Sequence, residues 1–135
     1  MRLVGEFEQR LDDKGRIVLP SVFRADLEHT KLIVALGDFG ELGVWPEAEW
    51  DTRAAAKQAK EHESPDDARA FREFTRNAHE IKLDGQFRFA VSENLRRKGG
   101  FTLGTSQPLY VIGARNRLEI WEKSRHEAFY GEGGE

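Results

Sequence analysis

The sequence predicts an α+β protein made of two tandem copies of one small unit, with helices connecting them. The first observation behind this prediction is a ten-residue motif that recurs after 72 residues. The second is the alternation of polar and apolar residues beside each copy, which has the period of a half-buried strand. The third is size, because 135 residues with 39% hydrophobic and 33% charged residues suit a single average domain.

The repeated motif runs from Leu11 to Pro20 and returns in weakened form from Leu83 to Ser92. Further matches pair Phe23-Arg24 with Leu95-Arg96 and, after four inserted residues, Leu42–Trp45 with Leu118–Trp121. A unit of about 45 residues is too small to be comfortably stable alone. We therefore expect the two copies to bury a shared core across a pseudo-two-fold axis.

Each copy passes through the same order of elements, which is strand, turn, strand, short helix, strand and strand. In the first copy the signals are alternation over Glu6–Leu11, a helix start at Pro20-Ser21, and strands at Leu32–Leu36 and Leu42–Trp45. In the second copy they are Ala78–Leu83, an N-cap at Ser92 with Gly99 after the helix, and strands at Leu109–Ile112 and Leu118–Trp121.

Two helices are predicted between the copies. Pro46 suits the first helical position of one, and Ser64-Pro65 provides an N-cap and first-turn proline for the other, whose apolar face is Ala68, Phe71, Phe74, Thr75 and Ala78. A last short helix is expected over Ser124–Tyr130, before a glycine-rich end that frays. The expected organisation is thus a first domain over 5–50, a helical connector over 51–77, a second domain over 78–125 and a tail over 126–135.

Composition and motifs disfavour several classes of protein. The longest apolar runs, such as Leu32–Leu36, are too short to span a membrane, and Met1–Glu6 turns polar at once, so no secretion signal is expected. The absence of cysteine excludes disulfides and thiolate metal sites. The four histidines lack the spacing of metal ligands, and no nucleotide-binding or nucleophile motif occurs. We expect no catalysis, cofactor, metal or small-molecule substrate.

The charges are segregated along the chain. Net charge is −3, yet residues 68–126 carry twelve basic and six acidic side chains, whereas residues 37–67 carry nine acidic and three basic ones. An anion-binding face is therefore compatible with a mildly acidic total, although such imbalance also occurs as ordinary surface variation.

The most informative element is the turn formed by Asp12, Asp13, Lys14 and Gly15. Its aspartates can bond their own backbone and its glycine can take positive φ, as a tight reversal requires. Lys14 and Arg16 then lie near the tip of a two-stranded ribbon, an element that fits the DNA major groove. Asp12 could instead hold Arg16 in an ion pair, and a hairpin with ordinary solvated charges remains an alternative. The Asp-x-x-x-Arg spacing recurs at Asp84 and Arg88, which favours a function.

Taken together, these motifs resemble the MraZ family of transcriptional regulators of the bacterial division and cell-wall gene cluster. The likeness covers nearly the whole chain and rests on Leu11–Pro20 with Phe23-Arg24, on Trp45-Pro46, on Ala68–Phe71, and on Val111–Gly113 with Leu118–Trp121. The resemblance implies two tandem SpoVT-AbrB-like domains, each a swapped-hairpin β-barrel unit, paired within one chain.

The same resemblance implies a ring-shaped homo-oligomer that binds promoter direct repeats in double-stranded DNA, usually as a repressor, in the cytoplasm on the nucleoid. By matching position, Arg16 is the DNA-contacting arginine and Asp12 its motif partner, with Lys14 and Gly15 in the same turn. Arg88 and Asp84 hold these places in the second copy, and Arg24 and Arg96 flank them.

The second copy departs from the family pattern at two positions. Phe87 stands where the family has glycine, and Ser92 stands where a proline often closes the strand. Because phenylalanine is strained at positive φ, we expect this turn to change shape or to move its glycine to Gly85, with Arg88 pointing elsewhere. The second copy is then either a DNA contact or chiefly a dimerisation half. The alternative function for the whole chain is a ring-forming assembly protein that binds a protein partner.

Overall fold

The computed structural model describes residues 1–131. The first copy contains β1 (Leu3–Leu11), β2 (Arg16–Val18), a 3₁₀ turn (Ser21–Phe23) that continues into α1 (Arg24–Leu27), β3 (Leu32–Leu36) and β4 (Leu42–Pro46). The connector contains α2 (Glu47–Gln58) and α3 (Pro65–Arg76). The second copy contains β5 (His79–Ile81), β6 (Arg88–Ala90), α4 (Glu93–Lys98), β7 (Gln107–Arg115), β8 (Leu118–Glu122) and α5 (Lys123–Tyr130).

Six strands form one antiparallel sheet in the order β1-β7-β8-β4-β3-β5. Strands β1, β3 and β4 of the first copy are equivalent to β5, β7 and β8 of the second. Exchanging equivalent strands reverses the order of the sheet, as a pseudo-two-fold axis requires. The axis passes between β4 and β8, where Leu42 lies opposite Ile120 and Val44 lies opposite Leu118. The α+β class and the tandem repeat predicted from the sequence are confirmed.

The two copies exchange strands at both edges of this sheet. β1 of the first copy pairs with β7 of the second along its whole length, and β5 of the second copy pairs with β3 of the first. A second, two-stranded sheet is formed by β2 and β6, so it also contains one strand from each copy. Neither copy therefore completes its sheets alone.

One hydrophobic core extends through both copies and both sheets. Ile17 and Phe89 point inward from the small sheet, and Leu3, Val34, Leu42, Leu109 and Ile120 are among the fully covered residues of the large one. Phe23 and Leu95 close the core from the two short helical segments that follow β2 and β6. This sharing explains how units of this size remain folded, because each supplies half of a core of ordinary size.

The connector helices cover the outer face of the first copy's half of the sheet. Phe74 of α3 meets Trp45 edge to face at 5.5 Å between ring centroids and stacks on Trp50 of α2, also at 5.5 Å. The predicted N-cap of α3 is confirmed, because the Ser64 hydroxyl accepts a hydrogen bond from the Asp67 N–H at 3.0 Å. In the second copy, α5 covers the equivalent Trp121.

Several boundaries differ from the sequence prediction, and the largest extension is that of β7, which covers Gln107–Arg115 instead of Leu109–Ile112. Pro46 closes β4 in extended conformation and precedes the first helical residue of α2 instead of occupying that position. β1 begins at Leu3, since β7 pairs with it that far. β5 is shorter than predicted because its partner β3 begins at Leu32, opposite Ile81. Residues 126–130 of the predicted tail belong to α5, and residues 132–135 lie outside the described part of the chain.

Candidate nucleic-acid interface

The turn that precedes β2 is organised by the Asp12 carboxylate. Its Oδ1 accepts hydrogen bonds from the backbone N–H groups of Lys14 at 2.9 Å and Arg16 at 2.8 Å, and its Oδ2 accepts one from the Arg16 Nε at 2.8 Å. Gly15 takes a φ of +81°, as its place in the turn requires. The ion pair expected from the four-residue spacing therefore exists, and it fixes the arginine to its own turn.

The second copy reproduces this arrangement bond for bond. The Asp84 carboxylate accepts from the N–H groups of Gln86 at 2.8 Å and Arg88 at 2.9 Å, and from the Arg88 Nε at 2.8 Å. Phe87 takes a φ of +59° at the place of glycine. The expectation of a reshaped turn, with its glycine at Gly85 and Arg88 pointing elsewhere, is wrong.

The hydrogen bonds to these carboxylates set their protonation. Burial would raise the pKa of Asp12, but the N–H groups of Arg16 and Lys14 and the Arg16 guanidinium outweigh it and lower that pKa below its ordinary value. The pKa of Asp84 is also lowered, first by the backbone N–H of Arg88. Both groups are thus held as carboxylates, the form that accepts bonds from arginine.

Arg16 and Arg88 lie on the outward face of the β2–β6 ribbon. Arg16 stands opposite Ala90 and Arg88 opposite Val18, so the two arginines are diagonal neighbours on one face, with Cβ atoms roughly 7 Å apart. Their side chains are 33% and 29% exposed. Within residues 1–131, the terminal amino groups of both guanidinium groups make no hydrogen bond, so they remain available as donors.

Arg24 and Arg96 connect each copy to the turn of the other. Each arginine is first held within its own copy, since the Arg24 Nε donates to the Leu19 carbonyl at 3.1 Å and the Arg96 Nε donates to the Val91 carbonyl at 2.9 Å. The Arg24 guanidinium lies 4.6 Å from the centre of the Phe87 ring. The equivalent Arg96 guanidinium fills the space in which a Gly15 side chain would lie. Both arginines are half-buried supports of the turns, placed beside Arg16 and Arg88.

The Arg24 contact helps Phe87 to occupy a left-handed position. A left-handed conformation costs a non-glycine residue about 1–2 kcal/mol, and a cation–π contact at a partly exposed site returns about 0.5–1 kcal/mol. The contact offsets about half of that cost. The packing of Phe87 against the hydrophobic core and the hydrogen bonds of Asp84 also hold the turn in this shape. The 72-residue offset in the sequence aligns Gly15 with Phe87 and Arg24 with Arg96, so it indicates that these positions are equivalent in the two copies. Only the pairing of the copies in the structure shows that Arg24 contacts the turn of the other copy.

The remaining predicted site residue, Lys14, is exposed at the tip of the first turn. Its equivalent in the second copy, Gln86, is exposed at the tip of the other turn. Within residues 1–131 there is no group of three or more His, Cys, Asp or Glu side chains that could hold a metal ion. The same part of the chain contains no helix long and apolar enough to cross a membrane.

The fold and this ribbon define the class of protein, which is a fused pair of AbrB-like α+β units related by a pseudo-two-fold axis. The family model described as "MraZ protein, putative antitoxin-like" matches residues 3–74 and again residues 74–133. The chain is also 34% identical to the "Transcriptional regulator MraZ" of Acetivibrio thermocellus over 129 residues, which cover 95% of this chain and 86% of that protein. The chain belongs to the MraZ family, as its motifs predicted.

Proposed function

We propose that this protein is a sequence-specific DNA-binding transcriptional regulator whose β2–β6 ribbon enters the major groove. One observation supports this most directly, namely two guanidinium groups on the same outward ribbon face, each oriented by its own aspartate. A two-stranded ribbon has the dimensions of the major groove, and arginine is the side chain that most often binds guanine there. The name of the Acetivibrio thermocellus relative supports the regulatory role.

Each residue of the interface has a distinct task in this proposal. The terminal amino groups of Arg16 and Arg88 donate to base edges, and Lys14 donates to a phosphate or to a guanine acceptor. Arg24 and Arg96 support the turns from behind and add positive potential beside them. Asp12 and Asp84 repel phosphate, so their role is to orient the arginines. No catalytic step, cofactor or small-molecule substrate is part of the proposal.

A ring of several copies would give this small interface sufficient affinity. One ribbon makes few contacts, whereas linked ribbons on successive direct repeats bind with a high effective concentration. An aromatic patch on the surface supports self-association, because Phe39 is 65% exposed and packs on Phe129, which with Tyr130 is 48% exposed. The ring would bind promoter repeats of the division and cell-wall gene cluster as a repressor, in the cytoplasm on the nucleoid.

The test is to measure the mass of the protein in solution with and without duplex DNA from upstream of its own gene. We expect an oligomer that gains the mass of the duplex, with an affinity that falls steeply from low to moderate salt as condensed ions are released. A scrambled duplex of equal length and composition is the control for sequence-independent binding. An oligomer that ignores both duplexes would contradict DNA binding and favour the assembly protein that binds a protein partner.

A further inference from the structure

The two ends of the ribbon have the same backbone but different side chains. The first end contains the turn Asp12–Gly15 and the second contains the turn Asp84–Phe87. The strand pairing continues symmetrically into both turns, because the Leu19 N–H donates to the Phe87 carbonyl at 2.8 Å and the Val91 N–H to the Gly15 carbonyl at 3.1 Å. The pseudo-two-fold axis therefore relates the two ends closely, and any difference in what they bind comes from their side chains.

The exposed side chains at the tips differ in charge and in hydrogen bonding. Asp13 and Lys14 are exposed at the first end, and Gly85 and Gln86 are exposed at the second. Lysine is a donor only, whereas the glutamine amide both donates and accepts. The residues opposite the two arginines, Val18 and Ala90, are apolar and add no hydrogen bond. Asp13 is an acceptor only and Gly85 has no side chain, so the exposed tip side chains that can donate to DNA are Lys14 and Gln86.

From this asymmetry we propose that one chain recognises a DNA site with two inverted but unequal halves, and that Lys14 and Gln86 determine the difference. A protein two-fold axis aligned with the DNA dyad selects halves that are inverted copies of each other. Lys14 suits a half that presents acceptors, such as guanine O6 and N7 or a phosphate. Gln86 suits a half that presents a donor and an acceptor together, as adenine does through N6 and N7. This inference rests on the proposed DNA-binding function.

Unequal halves would give the bound chain a direction along the DNA. A strictly symmetric ribbon binds its site equally well in either orientation, whereas this ribbon prefers one. Chains in a ring whose ribbons all point the same way would then require repeats that all have the same orientation. The asymmetry at two exposed positions would therefore make direct repeats the preferred target of such a ring, although each chain has nearly two-fold internal symmetry.

Selection from a pool of random-sequence DNA duplexes tests this inference, because it requires no assumption about the sequence of the site. The native chain is compared with Gly85→Asp/Gln86→Lys, which gives the second turn the exposed residues of the first. Apart from Gly85 itself and its two chain neighbours, no residue has an atom within 4 Å of a Cβ built at Gly85, and its φ is not in the left-handed region, so the turn accepts aspartate. The converse variant, Asp13→Gly/Lys14→Gln, is the matched partner. All substituted positions are exposed, and a thermal melting curve of each variant is the check that it is folded.

We expect the native chain to enrich a motif with two unequal inverted halves. In each variant the half under the altered turn should change toward the sequence of the other half. On duplexes with native and symmetrised sites, the preference should shift by roughly tenfold, as one base-specific contact is exchanged for another. A native motif with equal halves, or variants that enrich the native motif unchanged, would overturn the inference and leave DNA binding itself intact. Failure of the native chain to enrich any sequence would instead overturn the proposed function, and the inference with it.

Discussion

At the scale of single residues, the aspartates of the two turns act chiefly by orienting their arginines. A partly exposed ion pair such as Asp12–Arg16 contributes only about 0–1 kcal/mol to folding. The same carboxylate also holds two backbone N–H groups, so it fixes both the course of the turn and the direction of the guanidinium. An arginine held in this way loses less conformational entropy when it binds a base, and this preorganisation favours affinity.

The lowered pKa values of Asp12 and Asp84 predict a dependence of stability on pH. A carboxyl group with a lower pKa in the folded state stabilises the protein above its unfolded pKa of about 3.9, and this stabilisation is lost as the pH falls through the folded value. The free energy of unfolding, measured with urea at a series of pH values, should therefore fall below about pH 4. The variant Asp12→Asn/Asp84→Asn should show a shallower fall and should converge on the native chain in acid.

Asp13→Asn is the control for this experiment, because the structure shows no hydrogen bond to that exposed side chain within residues 1–131. Its profile should run parallel to that of the native chain. If the double variant followed the native profile at every pH, the two carboxylates would not be the groups responsible.

Phe87 gives a second prediction at the residue scale. Phe87→Ala removes the ring beneath Arg24 and leaves a side chain at positive φ, whereas Phe87→Gly removes the ring and also the strain. We expect Phe87→Ala to be less stable than Phe87→Gly by about 1 kcal/mol in urea unfolding. Equal stabilities, or a more stable alanine variant, would show that the left-handed conformation at this position is not maintained.

At the scale of elements, the turns were largely predictable and their supports were not. The four-residue spacing from Asp12 to Arg16 correctly indicated a contact within one turn, since both residues belong to the same local reversal. Phe87 led to the wrong prediction of a reshaped second turn, because its strain is partly offset by Arg24, a residue 63 positions earlier in the sequence. Local rules describe a turn well, but they contain no information about a side chain that arrives from the other copy.

The connector helix α3 should matter for stability and not for DNA binding. Ser64→Ala removes the hydroxyl that caps the Asp67 N–H and should lower the free energy of unfolding by about 1 kcal/mol. Ser64→Thr keeps a hydroxyl that can accept from the Asp67 N–H and donate to the Asp67 carboxylate, as Ser64 does at 2.9 Å, and should restore most of that loss. Affinity for DNA should be the same in both variants, because α3 covers Trp45 on the outer sheet face and contributes no residue to the ribbon. A change in affinity that differs between the two variants would link the connector to the interface.

At the scale of the whole molecule, the exchange of strands is what makes the interface. β2 and β6 belong to different copies, and only their pairing puts Arg16 and Arg88 on one face. The repeat predicted that the copies would share a core, but alternating strands such as Glu6–Leu11 can pair within a copy or between copies. The pairing of β1 with β7 depends on how the whole hydrophobic core packs. The sequence alone therefore could not predict which strand pairs with β1.

The central claim is that this shared ribbon face binds DNA through its two arginines, and one affinity measurement tests it most directly. Binding of Arg16→Ala/Arg88→Ala to duplex DNA from upstream of the gene is compared with that of Arg16→Ala, Arg72→Ala and the native chain. Arg72 is exposed on α3, so its replacement removes a positive charge remote from the ribbon.

Each bidentate contact to guanine contributes about 1–3 kcal/mol, so the double variant should bind about 100-fold more weakly or worse. Its melting temperature should fall only slightly, because the two lost ion pairs are partly exposed, and its oligomer mass should be unchanged. Arg72→Ala should bind as the native chain does. Native affinity in the double variant, or an equal loss in Arg72→Ala, would contradict the account.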